Sequence, residues 1–170
     1  HTITANVDDI NRFAEGNEAN NLLDSNIVIY VPGYALNAGG TAVGAFGTDN
    51  FWSGSTNIFS VATTIDTSGV LFAAPPAVYQ TERWSNCSYT LPNLMPGRDY
   101  LVRLHFAEIS PSVTTTNDRR FHVAINGATV LTNFDIFAEA GGQFRAVTKA
   151  LVPTALGSGQ ISIALTRGAA

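Results

Sequence analysis

The chain has 170 residues, of which 45% are hydrophobic and 13% are charged, and its formal net charge at pH 7 is −4. This length suits one domain with a sizeable core plus an appendage. The weak acidity gives no electrostatic reason to bind phosphate backbones or anionic membranes, which argues against a nucleic-acid partner. No apolar run approaches the ~20 residues of a membrane span, so membrane insertion is not expected. The composition favours a stable, turn-rich extracellular β-protein.

Cysteine usage restricts the chemistry but leaves the compartment open. Cys87 is the only cysteine, so neither an internal disulfide nor a cysteine-based zinc site can form. The N-terminus lacks a signal-peptide pattern. We predict a secreted or cell-surface protein whose signal lies outside this chain.

Residues 1–31 form a segment distinct from the rest. Residues 1–9 alternate like a strand, residues 11–21 form a polar turn, and residues 27–31 are strand-like again. The sequences VDDIN (7–11) and EGNEANN (15–21) resemble the last hairpin of a bacterial Ig-like adhesion domain of the CARDB type. Because a lone hairpin is marginal in water, the segment either packs on the main domain or pairs with a neighbouring subunit as donated strands.

The remainder of the chain is dominated by two-residue periodicity. In residues 100–106, Tyr100, Val102, Leu104 and Phe106 are predicted to share one face of a strand. Asn126-Gly127 supplies a two-residue turn between strands at 121–125 and 129–131. Further strands are predicted at 88–91, 147–152 and 160–165, and no helix longer than a turn or two is expected. Frequent Pro and Gly turns favour an all-β, two-sheet antiparallel sandwich of jelly-roll type.

Three segments carry a family resemblance: VYQTERW (78–84), LVRLHFAE (101–108) and NFDIFA (133–138). In this order and spacing they resemble a malectin-type carbohydrate-binding domain over roughly residues 34–168. The resemblance implies a sugar-binding β-sandwich without catalysis, so we divide the chain into residues 1–31 and a malectin-like domain at 32–170. Such domains usually continue with one more strand, so this one is expected to lack its last strand and to leave an open edge.

Aromatic residues are the first candidates for sugar contacts, because their faces stack on the apolar face of a pyranose. The resemblance places Trp84 at a ligand-contacting tyrosine position, although a buried core tryptophan would show the same pattern. Phe51 and Trp52 lie in a loop predicted at 47–55, either as binding groups or as a hydrophobic plug. Phe59 lies roughly where the family has another contacting tyrosine.

The chain departs from the family pattern at two places. Malectin itself carries a glucose-contacting Tyr-Phe pair just after the Phe-Ala-Glu segment, where this chain has Ser110-Pro111. A sugar-contacting aspartate of the family's C-terminal turn has no counterpart before Ala170. Glucose-disaccharide specificity therefore cannot be transferred to this chain.

Glu82, Arg83, Glu108 and Asp135 are charged residues of the matching segments. Glu82 and Arg83 are candidates for binding sugar hydroxyls. The plainer interpretation, which we favour, pairs Arg83 with a carboxylate and has Asp135 accept backbone N–H bonds at a turn. No cofactor is predicted. A structural calcium ion is conceivable, because jelly-roll modules often hold one through carboxylates, and its ligands would be Asp8, Asp9, Glu15 and Glu18, or Asp49 with Asp135.

Enzymatic activity is not predicted. A glycosidase needs two facing carboxylates. On the predicted binding face the only candidate pair is Glu82 with Glu108, which the family does not use in that way. His105 and His122 are expected to face outward from two strands as a cross-strand polar pair. The sequence contains no Gly-x-Ser-x-Gly elbow, phosphate loop or Rossmann fingerprint.

Two functional classes remain. The first is a non-catalytic carbohydrate-binding module of a larger secreted, bacterial, multidomain protein, with an oligosaccharide or polysaccharide as its partner. The second is a structural or adhesive subunit of an extracellular assembly, joined to copies of itself by donation of N-terminal strands.

Overall fold

The computed structural model describes residues 33–169, and the chain from Tyr34 onward forms one compact unit. The predicted N-terminal hairpin, its pairing within or between subunits, and the carboxylates of Asp8, Asp9, Glu15 and Glu18 lie outside the described residues. The domain division at residue 31 stays a prediction.

Short antiparallel strands make up most of the regular structure in the described residues. The strands are β1 (Trp52–Gly54), β2 (Ile58–Ser60), β3 (Thr81–Arg83), β4 (Cys87–Leu91), β5 (Val102–Ala107), β6 (Phe121–Ile125), β7 (Ala128–Phe134), β8 (Ala146–Leu151) and β9 (Ile161–Arg167). The helices are a 3-10 turn at Pro76–Gln80 and α1 at Ile136–Ala140. Neither helix is long enough to cross a bilayer, and no other segment between residues 33 and 169 forms one that could. For residues 33–169, the prediction of a mostly β, antiparallel fold with only short helices is confirmed.

The strands form three antiparallel sheets. The largest has the order β1-β4-β9-β6-β7, and the pairs β2–β3 and β5–β8 form two-stranded sheets. Side chains of β5 and β8, such as Val102, Leu104 and Leu151, pack against a buried cluster that includes Val123 and Ile161 of the large sheet. The β5–β8 pair therefore covers the large sheet through a shared apolar core.

Local pattern accounts for the longer strands. Tyr100, Val102, Leu104 and Phe106 all pack against the same core cluster, as their alternation predicts. Ile125 pairs with Ala128 across the turn, where Asn126 and Gly127 have φ values of 51° and 82°. Positive φ at both positions is the signature of the type I′ hairpin turn predicted from Asn-Gly.

The predicted loop at 47–55 is wrong in part, because Trp52–Gly54 forms β1 and pairs with β4. β1 to β3 each contain three residues, and three residues are too few to show a period. Their pairing is defined by partners distant in sequence, for example Trp52 with Tyr89.

Candidate functional site

The β2–β3 pair presents two different faces. Phe59 pairs directly with Glu82, and Ile58 pairs with Arg83. Because directly opposed residues share a face and neighbours along a strand alternate, Phe59 and Glu82 point one way while Ile58 and Arg83 point the other.

Trp84 continues the pairing, since its N–H donates to the Asn57 carbonyl at 3.1 Å, and it follows Glu82 by two residues. We call the side with Phe59, Glu82 and Trp84 the Trp84 face, and the opposite side the Arg83 face.

Trp84 is an exposed aromatic side chain. Its relative accessible surface is 47%, which rules out a buried core tryptophan. Within the described part of the chain its ring has no aromatic or cation–π partner. Ser85 follows with φ of 73°, so the chain turns directly after the tryptophan. The indole is therefore open to solvent on a short, hydrogen-bonded strand.

Next to Trp84 lies an ion-pair cluster that sequence reasoning did not find. Arg119 donates from Nη1 to Glu82 Oε2 at 2.9 Å, and its Nε lies 3.4 Å from Glu108 Oε2. Arg119 is 37 residues from Glu82 and precedes β6 in an irregular segment. No local pattern could have indicated this pairing.

Glu108 forms the buried end of this cluster. It is fully buried, its Oε1 accepts from the Ser110 N–H at 2.9 Å, and its Oε2 has no hydrogen-bond partner. Burial raises the pKa of the Glu108 carboxyl, and the Arg119 guanidinium opposes that rise. Ser110, at the family's aromatic position, therefore contributes a backbone contact to the floor of the cluster.

Phe59 has a mixed environment. It pairs with Glu82, but its ring packs against the cluster that contains Ile65, Tyr79 and Ile109. It is half-buried, so only part of its ring is accessible.

On the Arg83 face, Asp49 is the hub of a buried polar network. It accepts hydrogen bonds from Arg83 Nε at 2.9 Å, from the Tyr89 hydroxyl at 2.9 Å and from the Gly39 N–H at 2.8 Å. The Arg83 and Asp49 side chains are 6% and 8% exposed. The prediction that Arg83 pairs with a carboxylate is confirmed, and its guanidinium is directed away from the Trp84 face.

Trp52 belongs to this second network, whereas the ring of Phe51 contacts Tyr34. The Arg83 guanidinium carbon lies 3.7 Å from the centre of the Trp52 ring, and Phe51 makes an edge contact with Tyr34 at 5.2 Å between ring centres. Both side chains are partly exposed. The structure therefore divides the six predicted residues, with Trp84, Glu82 and Phe59 on one face, Arg83 and Trp52 in the network of the other, and Phe51 against Tyr34.

The predicted cross-strand pair of His105 and His122 is wrong, because β5 and β6 belong to different sheets. His105 Nδ1 shares a hydrogen bond with the Tyr79 hydroxyl at 2.8 Å, and its ring packs edge-on against Phe46. His122 Nδ1 accepts from the Asn133 N–H.

We expect His105 to make stability fall at mildly acidic pH. Burial, and secondarily Arg103, lowers the pKa of His105 below its ordinary value of 6.5. The unfolded chain then binds a proton near pH 6.5 that the folded chain does not, so the free energy of unfolding decreases as pH falls below about 6.5. Urea unfolding at pH 7.5 and pH 5.5 measures this change, which should be smaller in His105→Gln. The raised pKa of Glu108 has the opposite effect on stability, but it is present in both the wild-type chain and His105→Gln and therefore cancels in the comparison. If the free energies of unfolding of the two proteins changed equally with pH, His105 would not be the cause.

Asp135 behaves as the plainer interpretation predicted. It is the N-cap of α1, with its Oδ1 accepting from the Ala138 N–H at 3.0 Å, and its Oδ2 accepts from the Asn117 N–H. Asp49 is bound instead to Arg83, so the suggested calcium pair of Asp49 with Asp135 is wrong. Between residues 33 and 169 no group of three His, Cys, Asp or Glu residues could hold a metal ion.

The surface cavities lie elsewhere. One of about 380 Å³ is lined mainly by residues near β8, including Leu71, Glu139 and Arg145, and one of about 220 Å³ lies over β4 and β9. Neither contains Trp84 or Glu82. The exposed indole of Trp84 makes this face accessible to a ligand.

The combination of these sheets and motifs matches a known family. The malectin domain family matches residues 33–169. The chain belongs to the malectin domain family. A probable receptor-like protein kinase of Arabidopsis thaliana is 40% identical over 83 residues, which is 44% of this chain and 10% of that protein.

Solved structures agree on the fold of this malectin domain. The extracellular domain of ANXUR2 from Arabidopsis thaliana superposes with a TM-score of 0.68 at 23% identity, covering 78% of this chain and 42% of that one. A plant structure of the peptide RALF23 in complex with FER and LLG2 gives a TM-score of 0.65 at 22% identity, with the same two coverages of 78% and 42%. This chain therefore spans less than half the length of each of these relatives.

The relatives also bear on the source and location of the malectin domain. They are plant proteins, which gives no support to a bacterial source or to the CARDB resemblance. One of the similar solved structures is of the plant receptor-like kinase ANX2, and another is of the extracellular domain of ANXUR2. The predicted extracellular or cell-surface location agrees with these relatives.

Proposed function

We propose that this malectin domain is a non-catalytic carbohydrate-binding module of a larger secreted or cell-surface protein. The observation that carries the proposal is the exposed indole of Trp84 next to the Glu82–Arg119 ion pair. An exposed ring supplies the apolar platform for a pyranose, and charged planar groups beside it supply hydrogen bonds to hydroxyls. Phe59 borders the platform, whereas Arg83, Trp52 and Phe51 support the fold beneath it.

The same geometry argues against hydrolysis. Glu82 and Glu108 both contact Arg119, so they lie side by side around one cation. A glycosidase needs an acid and a nucleophile or base on opposite sides of the glycosidic bond. The arrangement supports binding without catalysis.

A two-sheet jelly-roll sandwich is the finer architecture that we propose for the domain. Its support is the core that β5 and β8 share with β6 and β9.

Titration of the whole chain against gluco-, xylo- and galacto-oligosaccharides tests the proposal. We expect saturable but weak binding to at least one of these classes, because an open platform buries less ligand surface than a pocket. Isothermal titration calorimetry and tryptophan fluorescence should give the same affinity. Failure to bind every member of the panel at millimolar concentration would overturn the proposal.

A structural or adhesive role through protein contacts is the second candidate. Leu71 and Phe72 are 84% and 78% exposed, and clustered exposed apolar side chains mark protein-binding surfaces. One of the similar solved structures contains the peptide RALF23 with FER and LLG2, so a peptide or protein partner fits the fold. Donation of N-terminal strands between subunits depends on residues 1–31 and stays a prediction.

Oligomeric state distinguishes the two forms of this second role. If strands are donated, size-exclusion light scattering of the whole chain should show oligomers that dissociate when residues 1–31 are deleted. If Leu71 and Phe72 form the contact between subunits, the oligomers should dissociate in Phe72→Ser and should persist when residues 1–31 are deleted. A monomer at high concentration would contradict self-assembly by either route.

A further inference from the structure

We propose that Arg119 determines the sugar specificity of the Trp84 face together with Glu82, and that buried Glu108 is the positioning residue that holds Arg119 there. This inference rests on the proposed carbohydrate-binding function and names the polar half of the same site. The ligand class that it assigns is a neutral sugar with two adjacent hydroxyl groups.

The contacts of Arg119 leave part of its guanidinium available. Nη1 is bound to Glu82 Oε2 at 2.9 Å, Nε lies 3.4 Å from Glu108 Oε2, and the side chain is 28% exposed. Within residues 33–169, Nη2 donates no hydrogen bond. A guanidinium carries five N–H donors in one plane, so the unused donors remain for a ligand.

Glu82 and Arg119 form a matched acceptor and donor. The two groups touch, and Glu82 is two residues from Trp84 on the same side of its strand. One hydroxyl of a stacked sugar can donate to the Glu82 carboxylate while its neighbour accepts from Arg119. Such a pair distinguishes epimers, because inversion of one hydroxyl breaks one of the two bonds and leaves a desolvated charged group without a partner.

The local charge favours a neutral ligand over an anionic one. Two carboxylates, those of Glu82 and Glu108, contact the Arg119 guanidinium, and Asp135 adds a further negative charge that acts on Glu108. An anionic sugar at the unused donors of Arg119 would be repelled by these carboxylates. A neutral diol keeps the ion pair intact.

Glu108 explains why Arg119 keeps its position. Glu108 is fully buried, and one of its two oxygens has no hydrogen-bond partner. A buried carboxylate needs a nearby counter-charge, and Arg119 is the cation that Glu108 contacts. The attraction to Glu108 therefore holds the Arg119 guanidinium in place, while part of the Arg119 side chain remains exposed to solvent.

The test compares the affinities of two epimeric neutral ligands, cellobiose and lactose, for the wild-type chain and Arg119→Lys. Lysine keeps the charge but lacks the planar fork, so we expect the ratio of the two dissociation constants to change by about 10-fold or more. Trp84→Ala should weaken both ligands alike and leave the ratio unchanged. Arg145→Lys is the matched control, because Arg145 is exposed and pairs with Asp66 away from this face.

If Arg119→Lys fails to fold, Glu82→Gln tests the same proposal. It should also change the ratio of the dissociation constants for cellobiose and lactose. The positioning role of Glu108 is tested by a double-mutant cycle in binding. Glu108→Gln should weaken the preferred ligand in the wild-type background but not further in Arg119→Lys, whereas a merely structural role would weaken it in both.

The outcomes separate the two proposals. If the wild-type chain binds sugar but neither Arg119→Lys nor Glu82→Gln changes the ratio, this inference is wrong and the proposed function stands. If the wild-type chain binds no neutral sugar, both fall.

Discussion

Replacing Asp49 with alanine should lower the free energy of unfolding by about 3–5 kcal/mol. The substitution would leave the Arg83 guanidinium, which is 6% exposed, buried beside Trp52 without its counter-charge. It would also remove the acceptor of the Tyr89 hydroxyl and of the Gly39 N–H. Urea unfolding of the whole chain, followed by circular dichroism, measures the change.

Glu139→Ala serves as the control for Asp49→Ala. Glu139 also forms an ion pair, with Lys149, but its side chain is 45% exposed, and exposed pairs contribute at most about 1 kcal/mol. A double variant with Asp49→Ala and Arg83→Met should recover part of the loss, because no charge is then buried alone. A loss below about 1 kcal/mol in Asp49→Ala would show that the network does not support the fold.

The longer strands could be predicted because their information is local. Alternation over residues 100–106 identifies the face that enters the core, and Asn126-Gly127 specifies its own turn geometry. Each of these features needs only a few consecutive residues. They account for β5 and for the hairpin of β6 and β7.

The site could be predicted only in part, because its geometry depends on pairing. Glu82 and Arg83 are adjacent in sequence, yet their side chains lie on opposite faces of β3, and only the pairing with β2 shows where each face leads. Arg119 reaches Glu82 from 37 residues away. The histidine pair was wrong for the same reason, since nothing local shows that β5 and β6 belong to different sheets.

The family resemblance supplied what local pattern could not. It placed Trp84 at a ligand-contacting position, and the structure leaves that side chain exposed. It offered no substitute for the missing Tyr-Phe pair, where the structure has Ser110 bound to Glu108. The polar cluster around Arg119 is therefore a feature that only the three-dimensional contacts reveal.

Trp84→Ala should weaken sugar binding by about 30-fold or more while leaving the fold intact. Truncation of a central aromatic anchor commonly costs at least about 2 kcal/mol of binding free energy. The stability cost should be small, because the ring is 47% exposed and stacks on no other ring in the described residues. Calorimetric titration with the best ligand of the panel, beside a urea unfolding curve, separates the two effects.

The two tryptophans of the chain make the control unusually direct. In Trp52→Phe, Trp84 is the only indole, so ligand-induced quenching should persist with an unchanged dissociation constant. In Trp84→Phe, Trp52 remains as the reporter, and because its ring is stacked on Arg83 on the other face, the fluorescence should not respond to sugar. Quenching that follows Trp52 instead would move the binding surface to the Arg83 face, since each indole reports only on the face where it lies.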